Sequence, residues 1–191
     1  MDALRSLLAF AMMTTSSSPD LSTTILLADD EKQWLLLTRR ELANTGIKNL
    51  IEEAKDGDSV IDMLARRLRK SPEALPLFVL LDVCMPRSNG IQALRWIRQQ
   101  RSLENLPVVM LTSSTEQSHI DDAYEAGADG YLLKGKNISA FTYIYEQARL
   151  VRQGKVSRSA AFKAMPDSRR PSSSGAAERQ AAEEQETVSS A

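Results

Sequence analysis

Leu77-Phe78-Val79-Leu80-Leu81-Asp82-Val83-Cys84-Met85-Pro86 decides the reading of this 191-residue chain. Its five leading apolar residues, with no polar alternation, predict a strand buried on both faces, as in parallel sheets. The run stops at a carboxylate, and open α/β sheets collect their ligands at the carboxyl ends of strands. Three other apolar segments stop in the same way. Ile25-Leu26-Leu27-Ala28 delivers Asp29-Asp30, Val108-Val109-Met110-Leu111 delivers Thr112, and Tyr131-Leu132-Leu133 delivers Lys134. Three carboxylates, a hydroxyl and an amine are therefore expected along one edge of one sheet.

Outward from that stretch, strands are predicted at 24–28, 48–53, 77–81, 107–111 and 130–133. Helices fall between them at about 31–45, 57–70, 90–101, 115–127 and 137–153. Punctuation agrees with these bounds. Gly46 and Gly127 stand where glycine closes a helix in the left-handed conformation. Asn89 opens the third helix, Ser114-Thr115 the fourth and Asn137 the fifth. Strict alternation predicts an α/β fold with a parallel sheet covered on both faces. Right-handed crossovers then favour the doubly wound, flavodoxin-like five-stranded order 2-1-3-4-5. That order sets strands one and three side by side, so Asp29, Asp30 and Asp82 face one another. Ser71-Pro72 and Pro76 mark a lengthened loop before the third strand.

Composition narrows the function classes. A formal net charge of −1 gives no electrostatic reason to expect nucleic acid or an anionic membrane as partner. One cysteine, Cys84, allows neither an intrachain disulfide nor a cysteine metal cluster. One histidine, His119, allows no multi-histidine metal site. The apolar run at 7–13 is too short to span a bilayer, which takes about 20 residues. Three parts are expected: a flexible N-terminal extension at 1–22, a folded domain at 23–153 and a disordered polar tail at 154–191.

The ordered set of motifs resembles the response-regulator receiver domain of two-component signalling, over about residues 24–153. The resemblance rests on Asp29-Asp30, on Asp82-x-x-Met85-Pro86-x-x-x-Gly90, and on Thr112-Ser113-Ser114. It continues through Glu125-Ala126-Gly127-Ala128-Asp129-Gly130-Tyr131 to Lys134. The long loop before strand three and the segment 102–107 are similar to single-domain regulators associated with bacterial phytochromes. The resemblance implies that Asp82 accepts a phosphoryl group from a sensor histidine kinase or phosphotransfer protein, with Mg2+ as cofactor. It implies metal ligation by Asp29, Asp30, Asp82 and the backbone carbonyl of Cys84, an oxygen set that magnesium prefers. Lys134 and Thr112 then contact phosphoryl oxygens, and Tyr131 is the aromatic that turns inward as Thr112 moves. Cys84 and Ser114, two residues past Asp82 and Thr112, are the positions that tune phosphate lifetime. Such a protein is a cytoplasmic signalling module that catalyses only its own phosphorylation and dephosphorylation.

One position departs from the family pattern: Gly135 follows Lys134 where proline is usual. A trans or mobile bond and a less rigidly aimed amine are expected, since a non-proline cis bond costs about 2.5–4 kcal/mol. Output is expected through contact with an unidentified protein target, because the polar tail cannot form a DNA-binding helical unit. On the fifth helix, Phe141, Ile144, Ala148 and Val151 form the core stripe at helical spacing. Tyr124, Tyr143, Tyr145 and Leu150 are left as exposed interface residues for a target or a homodimer through helix four, strand five and helix five. Two other readings use the same residues. One is a receiver-like scaffold that binds without phosphorylation. The other is a phosphatase of the haloacid-dehalogenase type, which wants an acid where Cys84 stands.

Overall fold

The computed structural model describes residues 23–70, 74–135 and 138–171. Five strands, β1 (Ile25–Ala28), β2 (Ile51–Ala54), β3 (Val79–Leu81), β4 (Val108–Thr112) and β5 (Gly130–Leu133), form one parallel sheet. Their order is β2-β1-β3-β4-β5, the flavodoxin-like winding that the alternation predicts. Between and after them run α1 (Lys32–Asn44), α2 (Gly57–Leu68), α3 (Gly90–Gln99), α4 (Gln117–Glu125), α5 (Ile138–Arg152) and α6 (Arg158–Phe162).

Side chains alternate across the sheet with period two, which divides the core into two layers. Leu26, Val79, Leu81, Val108, Met110 and Tyr131 pack with the apolar stripes of α2, α3 and α4. Ile25, Leu27, Leu80, Val109, Leu111 and Leu132 pack on the other side with α1, α5 and α6. Each fully buried large aliphatic contributes about 1.5–3 kcal/mol by leaving water. The predicted stripe of Phe141, Ile144, Ala148 and Val151 is buried in the second layer.

Local chemistry fixes the ends that matter for the site. Asn89 accepts a hydrogen bond from the Gln92 amide at 2.9 Å while the Gln92 side chain accepts from the Asn89 amide at 3.1 Å, a reciprocal cap that starts α3. Gly90, the next residue, lies so close to β3 that a Cβ there would meet the Asp82 carbonyl oxygen at 1.9 Å. The absence of a side chain at residue 90 thus lets α3 press directly against the backbone of Asp82.

The expectation of a disordered tail from residue 154 fails for the described part of it. Ser157 caps α6, and Ala161, Phe162 and Met165 are buried against the second core layer. These three residues supply enough apolar surface, concentrated within five positions, to anchor a segment whose average composition is polar. The expected N-terminal extension at 1–22, the Asn137 cap and the tail beyond 171 lie outside the described residues.

Candidate functional site

The register of the sheet assembles the site. Ala28 pairs with Leu81, so the residues that follow each, Asp29 and Asp82, emerge side by side. The Asp82 amide donates to the Ala28 carbonyl at 3.0 Å, and the Lys134 amide donates to the Thr112 carbonyl at 2.9 Å. All five strand-end residues named from sequence therefore meet at one edge. Asp29, Asp82, Thr112 and Lys134 are buried, whereas Asp30 is exposed. Oxygen atoms from Asp29, Asp30 and Asp82 lie within 4.8 Å of one another.

Lys134 closes the cluster. Its Nζ lies 2.6 Å from Asp29 Oδ2 and 2.6 Å from Asp82 Oδ2. It also stands 5.4 Å from the centroid of the Trp34 ring, within cation–π reach. The loosely aimed amine expected from Gly135 is therefore corrected, because two carboxylates and an indole hold the ammonium from three sides. The Lys134–Gly135 bond is trans, as expected, and Gly135 takes φ +79°, a left-handed conformation that proline's ring forbids.

Electrostatics explain what this pocket wants. Burial pushes the Asp29 carboxyl above the ordinary range, and the neighbouring Asp82 charge acts in the same direction. Hydrogen bonds from Lys134 and the Glu31 amide only partly offset this. Burial also works against the Lys134 charge, but hydrogen bonds to Asp29 and Asp82 outweigh it and hold the ammonium above its usual value. With all groups charged, three carboxylates against one ammonium leave a formal −2 in a mostly buried site. A divalent cation neutralises that excess, and an all-oxygen donor set suits a hard one.

Neighbouring residues complete the surroundings of the cluster. The Cys84 amide donates to Asp82 Oδ1 at 3.2 Å, which fixes the backbone beside Asp82. The Cys84 thiol is exposed and pushed above its ordinary range, first by desolvation and then by the Asp82 charge. Thr112 Oγ1 accepts from the Ser114 amide at 3.2 Å, and the Tyr131 hydroxyl donates to the Ser114 carbonyl at 3.2 Å. Ser114 Oγ in turn lies 2.7 Å from His119 Nδ1. Ser114 thus joins Thr112, Tyr131 and α4, a linkage without a sequence signal because His119 is an isolated histidine.

Tyr131 is buried, with its ring in the layer beneath α4. Burial pushes its phenol from 10.0 up to about 12. The proton is therefore held more tightly in the folded chain than in the unfolded one. The resulting stabilisation is complete below pH about 10 and is lost as pH rises towards about 12. In an absorbance titration of tyrosinate, Tyr131→Phe is expected to remove a step near pH about 12.

The proposed exposed interface needs correction. Tyr145 is buried, and Tyr143 is half-buried beneath α6. The Tyr143 hydroxyl donates to the Ala161 carbonyl at 2.7 Å, and its ring meets Phe162 edge-on at 6.5 Å. Tyr124 donates to the Arg169 carbonyl at 2.8 Å and lies 2.9 Å from Ser168 Oγ. Leu150 is half-buried. The helical spacing identified side chains off the main core stripe, but the chain's own C-terminal segment contacts Tyr124 and Tyr143.

A further buried cluster was not apparent from sequence. Asp129 Oδ2 receives hydrogen bonds from Arg98 Nη2 at 3.0 Å and from the Val108 amide at 2.8 Å, and Oδ1 lies 2.5 Å from Arg158 Nη1. Burial raises the Asp129 carboxyl above its ordinary range, opposed by Arg158 and Arg98. Burial likewise lowers Arg98 to about 10. The sequence presented Asp129 only as part of a motif, because its partners are 31 and 29 residues away.

Comparison with known proteins agrees with this geometry. Residues 25–144 match the response regulator receiver domain. A probable methanogenesis regulatory protein, FilR2, from Methanothrix harundinacea is 34% identical over 110 residues, covering 58% of this chain and 70% of that protein. The chemotaxis protein CheY-3 of Vibrio cholerae is 33% identical over 110 residues, covering 58% and 78% respectively. Among solved structures, the bacteriophytochrome response regulator RtBRR aligns with a TM-score of 0.57 and 29% identity over 74% of this chain and 95% of its own. The chain therefore belongs to the response regulator receiver domain family, whose members are the aspartate-phosphorylated regulators of two-component signalling.

Proposed function

We propose that Asp82 is the phosphoryl acceptor of this receiver and that Mg2+ is its cofactor. The observation that carries this reading is the cluster of Asp29, Asp30 and Asp82 oxygens within 4.8 Å, bridged by the Lys134 ammonium. A carboxylate oxygen of Asp82 attacks phosphorus on a donor phosphohistidine. The new phosphorus–oxygen bond forms as the phosphorus–nitrogen bond breaks, and the electron pair leaves with the imidazole nitrogen. Lys134 stays charged and neutralises a phosphoryl oxygen as negative charge gathers there. Thr112 gives up its contact with the Ser114 amide to donate its hydroxyl to another oxygen.

Asp29, Asp30, Asp82 and the Cys84 carbonyl would hold the metal, which when bound supplies charge neutralisation for phosphoryl transfer. The donor is a sensor histidine kinase or phosphotransfer protein, and output is by contact with a protein target in the cytoplasm. Among the described residues no helix is long and apolar enough to cross a membrane. The position two past Asp82 carries Cys84 rather than an acid, which argues against a general phosphatase.

Magnesium gives a direct test. At a concentration 100 times its Kd, it is expected to raise unfolding stability by about 2.7 kcal/mol. Trp34 fluorescence should change over the same titration, because its ring stacks near Lys134. Asp30→Ala is expected to weaken both responses. Unchanged stability and fluorescence in wild type at millimolar magnesium would count against the metal assignment.

A further inference from the structure

β5 is a sheet edge, and an edge strand presents unpaired backbone groups that invite another chain. Here the chain covers that edge with its own residues 157–171. The Tyr131 amide donates to Ser168 Oγ at 3.0 Å, and the Arg169 amide donates to the Tyr131 carbonyl at 2.8 Å. Both backbone groups of the one residue whose hydroxyl reaches Ser114 are thus committed to the C-terminal segment. On α4, Tyr124 holds the Arg169 carbonyl, and Gln117 Nε2 donates to the Arg170 carbonyl at 3.3 Å.

The seat for this segment is built into the sheet. Gly130 carries no side chain, and Met165 fills the space: a Cβ there would lie 1.7 Å from Met165 Cε and 2.9 Å from its Sδ. Phe162 and Ala161 are buried beside Tyr143 on α5, and Arg158 is tied to Asp129 at the start of the strand. The segment therefore touches α4, β5 and α5 at once. Apart from Met165, Phe162, Ala161 and the Arg158–Asp129 pair, its grip consists of partly exposed polar contacts, which open at lower free energy than a core.

We infer that residues 157–171 are a strap that closes the α4–β5–α5 face in cis and is released when Asp82 is phosphorylated. The inference rests on the acceptor role of Asp82. The coupling follows from contacts already named. Thr112 and Tyr131 both bond to Ser114, and His119 links Ser114 to α4. A shift of Thr112 towards a phosphoryl group disturbs Tyr131 and α4, and these elements hold Ser168, Arg169 and Arg170. Release would expose an open strand edge flanked by Tyr124 and Tyr143, a surface that fits a protein partner presenting an extended segment.

Hydrogen exchange read by mass spectrometry on the full chain tests this, with acetyl phosphate and magnesium as probe. Wild type is expected to gain the mass of one phosphoryl group and to exchange its 157–171 amides about tenfold faster or more. Asp82→Ala should show neither change. Gly130→Ala should exchange the same segment faster by about tenfold or more without any phosphodonor, the effect of unseating one buried methionine. Its β1, β3 and β4 amides should remain protected. Met165→Asn provides the same comparison without altering the strand. A phosphoryl mass gain with unchanged exchange at 157–171 would overturn the strap and leave the acceptor intact. No mass gain would overturn the acceptor, and with it the coupled release. Protection of the segment in both Gly130→Ala and Met165→Asn would overturn the proposed seat.

Discussion

Asp82→Ala is expected to abolish magnesium-dependent phosphoryl uptake, leaving no mass gain with acetyl phosphate where wild type gains one group. The effect is all-or-none because the carboxylate is the atom source of the new bond, and no neighbour can replace it. Asp29, the nearest buried carboxylate, is engaged as Asp82 is, by a backbone amide and by Lys134, and in the proposed reading it serves the metal rather than accepting the phosphoryl group. The substitution should leave the fold intact. It reduces the formal charge of the pocket from −2 to −1, and Lys134 keeps Asp29 as its partner at 2.6 Å. Far-ultraviolet circular dichroism and a thermal melt should therefore match or exceed wild type. Retained mass gain in a folded Asp82→Ala protein would move the acceptor elsewhere.

Asp129→Leu is expected to cost about 3–5 kcal/mol of unfolding free energy, the penalty for leaving a buried partner charge uncompensated. Arg98 would keep its guanidinium in a mostly buried position beside Arg158, with no anion between them. The Val108 amide would lose its acceptor as well. Burial pushes Arg98 down to about 10 while the Asp129 charge acts the other way, so losing Asp129 leaves the burial cost of the guanidinium without a neighbouring anion. Arg158→Met should cost less, because that side chain is more exposed and Asp129 would keep Arg98 and Val108. Urea denaturation of the two variants against wild type decides the order. A loss below about 1 kcal/mol for Asp129→Leu, the level of an exposed pair, would show that Arg98 finds other compensation.

The fold was legible because the central strands β1, β3 and β4 are apolar runs and the turns between elements carry glycine, asparagine or proline. The site was legible for a related reason. A parallel sheet puts every strand's carboxyl end on one side, so Asp29, Asp82, Thr112 and Lys134 could be grouped without knowing any distance. What escaped was chemistry that depends on partners distant in sequence or on a few anchors within a polar segment. Ala161, Phe162 and Met165 are diluted in a Ser-, Arg- and Glu-rich stretch, and composition averaged over that stretch reads as unable to fold. The partner of Met165 is an absence, the missing side chain of Gly130. Tyr143 was assigned to solvent because a helical wheel has no knowledge of a sixth helix.

Gly135 was first a missing proline. The structure shows instead a left-handed residue beside an ammonium held by Asp29, Asp82 and Trp34, so loop stiffness is replaced by charge and ring contacts at the side chain itself.

The sheet has two borders, and they are guarded by unlike means. On β2, Glu52 and Glu53 pair with Arg67 and Arg39, so charge discourages another strand from aligning there. On β5 the guard is the polypeptide itself. The stretch at 157–171 therefore does double duty: it takes part in the proposed signal response, and it occupies the Tyr131 backbone groups that another strand would need in order to pair there.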